Sequence, residues 1–263
     1  MSLFKQSFQN LIKEVSQLKE KRLNLETTSF SLHLMAMVFM LCDHLWGTIV
    51  SGNDWLTCVG RITFPIYAFM IVEGYFHTRN LKKYVSRLLL FAILSEIPFN
   101  LAMGSRLFYP IHQNVLWSFL ISIGLIHWNE NIKTKQLWKR ILVGIATICI
   151  AYLGGILTFV DYNNAGIFMV LIFYFLRGSH WWNYLGQLLG MWYVNCEMLG
   201  GYGYEISLFG DIHFIPRQSI ALLALIPIWL YKGKQGYHSK KLQYLYYVFY
   251  PLHLLILGFI KMI

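Results

Sequence analysis

Long apolar runs separated by short polar links extend along almost the whole chain. Each run is long enough, or nearly so, for a helix that crosses a bilayer, which needs about 20 apolar residues. The runs cover residues 30–50, 55–76, 83–103, 113–128, 138–158, 164–177, 181–198, 214–231 and 242–262. The pattern predicts an all-α fold, a polytopic transmembrane helix bundle with about nine spans; the sixth and seventh runs are short enough that a re-entrant pair is an alternative.

Residues 1–28, before the first run, have a different pattern. Lysine and glutamate alternate there with six apolar residues at helical spacing, namely Phe4, Phe8, Leu11, Ile12, Val15 and Leu18. We predict that this segment is an amphipathic helix on the cytoplasmic face of the membrane or packed under the bundle. A solvated tail is the alternative. Residues 29–263 then form the transmembrane bundle.

The composition agrees with a membrane protein and changes the meaning of the net charge. Hydrophobic residues make up 57% of the 263 residues and charged residues 13%, whereas about a quarter of the residues in soluble domains are charged. A net charge of +10 would suggest nucleic acid as the partner of a soluble protein. Here the positive-inside rule accounts for it, so we expect a lipid bilayer and no nucleic acid.

The distribution of basic residues predicts the topology. Most of the 22 lysines and arginines lie in alternate segments, which are residues 1–28, 79–87, 133–140, 177 and 232–241. The intervening links carry acidic residues instead, namely Asp54, Asp161, Glu197, Glu205 and Asp211. The positive-inside rule therefore predicts a multi-pass protein of the cytoplasmic (inner) membrane with a cytoplasmic N-terminus. We expect the glycine-rich link 199–205 to be a flexible connector, with a lid as the alternative.

Several polar residues interrupt the apolar runs, and their depth follows from the 1.5 Å rise of a helix. A shared layer in the outer half or near the midplane is predicted for Asp43, His44, Arg61, Glu96, Asn114, Asp161, Gln218 and His253. A charge at that depth costs at least about 2.5–3.5 kcal/mol, so it needs a partner, a water-filled cavity or a function. Arg61 has a structural interpretation as the counter-ion of Asp43 or Glu96. The whole cluster has a structural interpretation as well, in which it only fixes helix packing.

The opposite end of the runs carries a basic set. It consists of Arg79, Lys82, Lys83, Arg87, Lys232 and Lys234. Glu73 and His77 lie four residues apart at the same end, on one helical face. Basic residues here are what the positive-inside rule requires, and a phosphate site is the functional alternative. The four cysteines (Cys42, Cys58, Cys149 and Cys196) lack metal-ligand spacing, so we expect no metal.

The motifs, taken together, resemble the TraX family, known for acetylating the N-terminus of pilin, within the clan of polytopic membrane acyltransferases. The resemblance covers about residues 31–259. Its motifs are Asp43-His44, Gly60-Arg61, Phe64-Pro65, Val72-Glu73-Gly74-Tyr75-Phe76-His77-Thr78-Arg79, Arg87-Leu88, Ser95-Glu96-Ile97-Pro98-Phe99, Gln113-Asn114-Val115, Asp161-Tyr162, Ala221-Leu222-Leu223, Leu230-Tyr231-Lys232-Gly233 and Phe249-Tyr250-Pro251-Leu252-His253-Leu254. Two departures are Trp117-Ser118, where a Phe-Thr pair is expected, and Asn163-Asn164, where glycines are usual.

The resemblance implies acyl transfer, usually of acetyl, from a cytoplasmic coenzyme A thioester such as acetyl-CoA to an acceptor at the other membrane face. The acceptor would be an amine, as in a prepilin-like peptide, or a hydroxyl. The expected donor-binding residues are Glu73, His77, Arg79, Lys82, Lys83, Arg87, Tyr231, Lys232 and Lys234. The expected acceptor-binding residues are Gln113, Asn114, Asp161, Tyr162 and Gln218.

The attacking amine or hydroxyl must lose a proton, and histidine has the side chain best suited to accept it near neutral pH. Of nine histidines, only His44 and His253 are placed deep in a span. His44 is the expected general base, with Asp43 orienting or tuning the site and His253 in reserve. Arg61 would pair with Glu96 or stabilise the oxyanion of the reacting thioester.

Two other functions remain open at this point. An O-acetyltransferase that modifies a surface glycan or a lipid-linked sugar would carry the same residues. A channel or secondary transporter would use intramembrane Arg, Glu and His as gating or coupling groups. The chain shows no internal repeat, which weighs against the transporter folds built from duplicated halves.

Overall fold

The computed structural model describes residues 26–132, 135–208 and 210–262. The amphipathic helix predicted within residues 1–28 lies, up to residue 25, outside the described residues. The helices are α1 (Ser29–Thr48), α2 (Asp54–Gly60), α3 (Thr63–His77), α4 (Leu81–Gly104), α5 (Val115–Asn131), α6 (Leu137–Leu157), α7 (Asn163–Phe175), α8 (Trp181–Trp192), α9 (Leu225–Trp229) and α10 (Lys240–Met262). A π-helix, Tyr193–Met198, continues α8, and a 3₁₀-helix, Arg217–Ala224, leads into α9.

The structure is a helical membrane protein. Within the described ranges, five helical segments are long and apolar enough to cross a membrane: Ser29–Thr48, Asp54–His77, Leu81–Gly104, Leu137–Leu157 and Lys240–Met262. They match five of the nine predicted runs to within two residues at most ends. The other four runs form shorter helices, of which α5 has 17 residues and α7 has 13. Five helical segments in the described residues thus have the length and composition of a membrane span, and the count of nine spans stays a prediction.

A β-hairpin that the sequence analysis did not predict follows the π-helix. Strands β1 (Gly203–Leu208) and β2 (Asp211–Pro216) pair antiparallel, with Tyr204 opposite Ile215. The glycine-rich link predicted as a connector thus ends in a strand, and the eighth run becomes helical at Arg217 rather than at residue 214. A pattern of long apolar runs does not reveal these strands, because the side chains of a strand alternate between two faces with a period of two.

The second predicted run is broken where Arg61 and Ile62 separate α2 from α3. Gly60, the last residue of α2, lies so close to α1 that a Cβ atom there would overlap the side chain of Asp43. The absence of a side chain at Gly60 therefore permits the close approach of α2 to α1. The break points the side chain that follows it, Arg61, back towards α1.

Contacts between helix ends bring several charged links together at one end of the bundle. Arg177, after α7, bonds to Glu73 near the end of α3 at 2.8 Å, and Lys234 pairs with Glu26. Tyr174 donates to Glu130 at 3.0 Å. We call this the basic end, and the opposite end, which carries β1 and β2, the hairpin end. Several charged links thus meet at one end, while the topology and the membrane face to which that end belongs stay predictions.

The core lies around α7, whose buried residues include Ile167, Met169 and Phe173, packed among α3, α5 and α6. Exposed apolar side chains cover the outward faces of α4, α6 and α10. On α6 they are Ile141, Leu142, Ile145, Ile148, Ile150 and Leu153. Apolar surface of this extent on a helical bundle suits contact with lipid hydrocarbon.

Candidate functional site

Asp43 on α1 and Arg61 at the α2–α3 break form an ion pair within the bundle. Arg61 Nη2 donates to Asp43 Oδ1 at 2.8 Å and to the Thr57 hydroxyl at 2.6 Å. The Thr57 hydroxyl in turn donates to Asp43 Oδ1 at 2.7 Å. The two charged side chains are 17% and 21% exposed. Of the two partners that the sequence allowed for Arg61, the structure places Asp43 beside it.

Hydrogen bonds connect the ion pair to the 3₁₀-helix and, through it, to the π-helix. Arg61 Nη1 donates to Gln218 Oε1 at 3.4 Å, and Gln218 Nε2 donates to Asn195 Oδ1 at 3.1 Å. Asn195 is fully buried, and its side-chain amide donates to the Met191 carbonyl, which is the last hydrogen bond of this series. Gln218, an expected acceptor-binding residue, thus takes part in a hydrogen-bonded network that ties three segments together.

Glu96 on α4 bonds to the start of α5 rather than to Arg61. One carboxylate oxygen accepts hydrogen bonds from the Asn114 backbone N–H at 3.1 Å, from the Asn114 side-chain amide, and from Trp117 Nε1 at 2.7 Å. Asn114 also caps α5 through its side-chain oxygen. Trp117 replaces a phenylalanine expected from the family pattern, and its indole N–H supplies a donor that phenylalanine lacks.

Asp161 lies in the turn before α7, next to the loop that precedes α5. His112 Nε2 donates to Asp161 Oδ1 at 3.3 Å, and this hydrogen bond raises the pKa of His112 above its ordinary value. The backbones of Gln113 and Val160 form a bridge beside the pair. The Tyr162 ring stacks on Phe64 with centroids 4.5 Å apart. His112 was not among the predicted site residues.

Ser118 on α5 and Asn163 at the start of α7, two more residues that depart from the family pattern, lie next to this turn. The Ser118 hydroxyl donates to the Asp161 carbonyl at 3.0 Å. Asn163 has a positive φ of 47°, a conformation that glycine adopts most easily and that asparagine tolerates. The asparagine therefore preserves the local backbone where glycine is usual.

His44 and His253, the two deep histidines, are hydrogen-bonded to each other across α1 and α10. His44 Nδ1 lies 2.6 Å from His253 Nε2, and the rings stack with centroids 4.9 Å apart. His253 Nδ1 lies 2.6 Å from the Phe249 carbonyl, which can only accept, so Nδ1 carries the proton. Neutral His253 then offers Nε2 as an acceptor to His44 Nδ1–H. This leaves the lone pair on His44 Nε2, to which no residue in the described part of the chain is hydrogen-bonded.

Asp43 and His44, although adjacent, serve different contacts, because neighbouring helical side chains point about 100° apart. The Asp43 carboxylate faces α2 and its bonds go to Thr57 and Arg61. The His44 ring faces α10. Among the described residues the hydrogen bond that orients His44 therefore comes from His253, and none from Asp43.

A cavity of about 820 Å³ begins at the basic end and reaches Tyr250 on α10. Tyr250 lines the cavity, and the centroid of its ring lies 6.3 Å from that of His44 and 6.0 Å from that of His253. Helices α1, α3, α4, α5 and α10 supply most of its walls. The lining is largely apolar and aromatic, with a few polar groups, as in most small-molecule sites.

The expected donor-binding residues divide into two groups. Five line the cavity, namely Glu73, His77, Arg79, Arg87 and Tyr231. Burial raises the pKa of the Tyr231 hydroxyl, so it is a neutral hydrogen-bonding group there. The other four, Lys82, Lys83, Lys232 and Lys234, are exposed and lie outside the lining. Glu73 is held by its bond to Arg177.

Most of the aromatic residues that line the cavity were not among the predicted site residues. Seven tyrosines and His33 line the cavity; the tyrosines are Tyr67, Tyr84, Tyr231, Tyr237, Tyr246, Tyr247 and Tyr250. Three of them, together with Gln243, recur every three or four residues along α10, which places them on one helical face. That spacing is visible in the sequence and was the available signal.

A protein-family model and several known proteins match most or part of this chain. The family model described as TraX protein matches residues 30–261. The chain is 26% identical over 255 residues to "Probable fimbrial assembly protein FimC, serogroup H1" of Dichelobacter nodosus, covering 91% of this chain and 98% of that protein.

Two "Protein TraX" sequences are similar over a shorter region. One, from Escherichia coli, is 25% identical over 144 residues, and one from strain K12 is 25% identical over 142 residues. The aligned region spans about half of each of these relatives. No solved structure matches the chain with significant similarity. Since the family model covers nearly all of the described bundle, this chain belongs to the TraX family.

Proposed function

We propose that this protein is a membrane-embedded acyltransferase that moves an acyl group, most simply acetyl, from a coenzyme A thioester to an amine such as a peptide N-terminus. The observation that carries the proposal is the cavity of about 820 Å³ that connects the basic end with the surroundings of the His44–His253 pair. Binding sites for small molecules usually have volumes of about 300–1,000 Å³, a range that includes this cavity. The named role of one relative in fimbrial assembly supports a pilin-like acceptor.

The donor would enter at the basic end. His77 and Arg79 lie at the mouth of the cavity, and the Arg79 side chain is exposed there. A guanidinium is suited to bidentate hydrogen bonding with phosphate. Lys82, Lys83, Lys232 and Lys234 would add a positive field around the mouth without lining it. The bound thioester supplies the activated acyl carbon, and the residues of the chain bind, orient and move protons.

His44 would take the proton from the acceptor. Its Nε2 has the free lone pair, because the Nδ1 proton is engaged with His253 and the His253 proton with Phe249. This orientation is the arrangement in which a second group fixes the tautomer of a general base. His253 is therefore a positioning residue here, and it also stabilises the proton on His44 after transfer.

A transfer assay with the purified protein in nanodiscs tests the proposal. Labelled acetyl-CoA is incubated with a pilin-like peptide that has a free N-terminus, and with the same peptide with a blocked N-terminus. We expect label on the free peptide alone, and a decrease in turnover of about 10²–10⁴-fold in His44→Ala. His213→Ala, in the exposed β2 strand, is the matched histidine control. Near wild-type turnover in His44→Ala would contradict the base assignment.

The same assay separates the alternatives. When a glycan or a lipid-linked sugar is added as a further acceptor, label on it with none on either peptide would indicate the O-acetyltransferase. Absence of acetyl-CoA binding and of transfer by the wild-type protein would refute the proposal and favour a transport function.

A further inference from the structure

Two buried polar atoms in the cavity wall lack a hydrogen-bond partner among the described residues. They are Nε of Arg87 on α4 and the hydroxyl oxygen of Tyr246 on α10. A buried donor without a partner is unfavourable, and native structures satisfy nearly all such groups. Both atoms belong to residues that line the same cavity, so a ligand there is positioned to satisfy them.

The two residues lie at similar depth. Each is six residues from the first residue of its helix, about 9 Å along the axis from the basic end. Arg79, in contrast, precedes α4 and lies at the mouth. The Arg87 guanidinium carbon is 5.7 Å from the centroid of the Tyr247 ring, which fixes the guanidinium against the wall. Arg87 thus belongs to the middle of the cavity rather than to its basic mouth.

His33 on α1 adds a third polar group next to Tyr246. The two rings stack with centroids 4.0 Å apart. His33 Nδ1 lies 2.8 Å from the Ser29 carbonyl, so Nδ1 carries the proton and Nε2 is an acceptor in the neutral ring. The middle of the cavity therefore offers a donor that cannot accept (Arg87), an acceptor (His33) and a hydroxyl that can do either (Tyr246).

This combination matches a particular ligand chemistry. A hydrocarbon chain would leave all three groups without partners, and a phosphate would present acceptors to Arg87 but no donor to His33. A secondary amide presents a carbonyl oxygen to the Arg87 N–H and an N–H to His33 or Tyr246. An extended ligand with amide groups along its length, running through an apolar and aromatic cavity, fits both the polar groups and their surroundings.

We propose that Arg87, Tyr246 and His33 form a subsite that recognises the amide groups of the pantetheine arm of the acyl donor. The proposal rests on the proposed function, since it assigns a part of the coenzyme A donor to a part of the cavity. It changes the role expected for Arg87 from phosphate binding to recognition of the arm. Arg79 and His77 at the mouth remain the groups for the phosphates.

Competition binding with two ligands tests the assignment. Unlabelled coenzyme A and pantetheine, which lacks the nucleotide and its phosphates, compete with labelled acetyl-CoA for the protein in nanodiscs. Arg87→Met removes the N–H groups and keeps a side chain of similar length, and Tyr246→Phe removes only the hydroxyl. We expect both variants to bind both ligands more weakly, by about tenfold or more for Arg87→Met and about threefold to tenfold for Tyr246→Phe. Arg79→Met should weaken coenzyme A binding and leave pantetheine binding unchanged.

The control is Tyr244→Phe, an exposed tyrosine on the same helix, which should bind both ligands as the wild type does. Thermal unfolding of each variant, recorded on the same samples, shows that the bundle is intact. If Arg87→Met and Tyr246→Phe bind pantetheine with wild-type affinity while coenzyme A still binds, the subsite assignment is overturned and the proposed function stands. If the wild type binds coenzyme A but pantetheine does not compete, the subsite is likewise overturned. Failure of the wild type to bind coenzyme A at all would overturn both.

Discussion

Replacement of Arg61 by methionine would leave the Asp43 carboxylate in the bundle without its cationic partner. In the native protein this carboxylate receives hydrogen bonds from Arg61 at 2.8 Å and from Thr57 at 2.7 Å. The two charged side chains are four-fifths buried. If Arg61 serves mainly to neutralise Asp43, the effect of its loss should depend on whether Asp43 is charged.

The expected magnitude follows from burial. Removing one partner of a buried ion pair costs about 3–5 kcal/mol, and because both groups keep some solvent access we expect about 3 kcal/mol for Arg61→Met. Asp43→Asn should be destabilising for the same reason, since it leaves the guanidinium unpaired. The double variant removes both charges, so we expect it to recover part of the loss, with a coupling energy of roughly 2–3 kcal/mol.

The free energies of unfolding of the four proteins, measured by denaturant titration in mixed micelles, give the double-mutant cycle. Lys82→Met, which removes an exposed positive charge on α4, is the control and should change stability by less than about 0.5 kcal/mol. Additive losses in the double variant would show that the pair is not coupled and would refute the packing role. An Arg61→Met protein of normal stability with no transferase activity would instead place Arg61 in the chemistry.

Two further predictions concern the same end of the bundle. Gly60→Ala should destabilise the protein by about 1–3 kcal/mol and disturb the Asp43 contacts, because the added methyl group would overlap the Asp43 side chain. Thermal unfolding measures this loss, with Gly47→Ala as the control because no neighbour lies within 4 Å of that position. Equal stability of the two variants would contradict the steric argument. The hydrogen bond to Asp161 raises the pKa of His112 in the folded state. The stabilisation that this bond gives the fold is therefore fully present below the ordinary pKa of about 6.5 and is lost as the pH rises through the pKa of the folded state. His112→Gln should flatten the dependence of the unfolding free energy on pH in that window, and an unchanged dependence would contradict the linkage.

The membrane-spanning helices could be predicted from the sequence because each is specified locally. A run of about 20 apolar residues forms a helix in lipid, whatever its neighbours do, since its backbone has no other way to be satisfied. This holds for α1, α4, α6 and α10, and for the α2–α3 segment. The prediction was poorest where the backbone is shaped by contacts outside the apolar pattern, as in β1 and β2.

The depth of the site residues within the bundle could be predicted from the sequence, but the hydrogen-bond or ion-pair partner of each residue could not. Placing His44 and His253 near the same level of the bundle required only the rise of a helix, and their hydrogen bond agrees with it. The partner of each charge depends on which helices are neighbours and on their rotation. Glu96 was therefore open to pairing with Arg61, whereas in the structure it holds the start of α5 through Asn114 and Trp117.

The polar residues fall into two groups, those whose hydrogen-bonding atoms have partners in the bundle and those whose atoms lack them, and their positions in the sequence do not show this division. The oxygens of Asp43 and Glu96 that face their neighbours are engaged by donors of the bundle, and such complete networks stabilise a fold whether or not a substrate is bound. In contrast, Arg87 Nε and the Tyr246 hydroxyl lack partners in the described part of the chain and face one cavity. A buried group left unsatisfied in this way has a reason to persist if a ligand satisfies it. The donor should therefore be recognised in the cavity, and most of the outer charged layer should hold the helices in place around it.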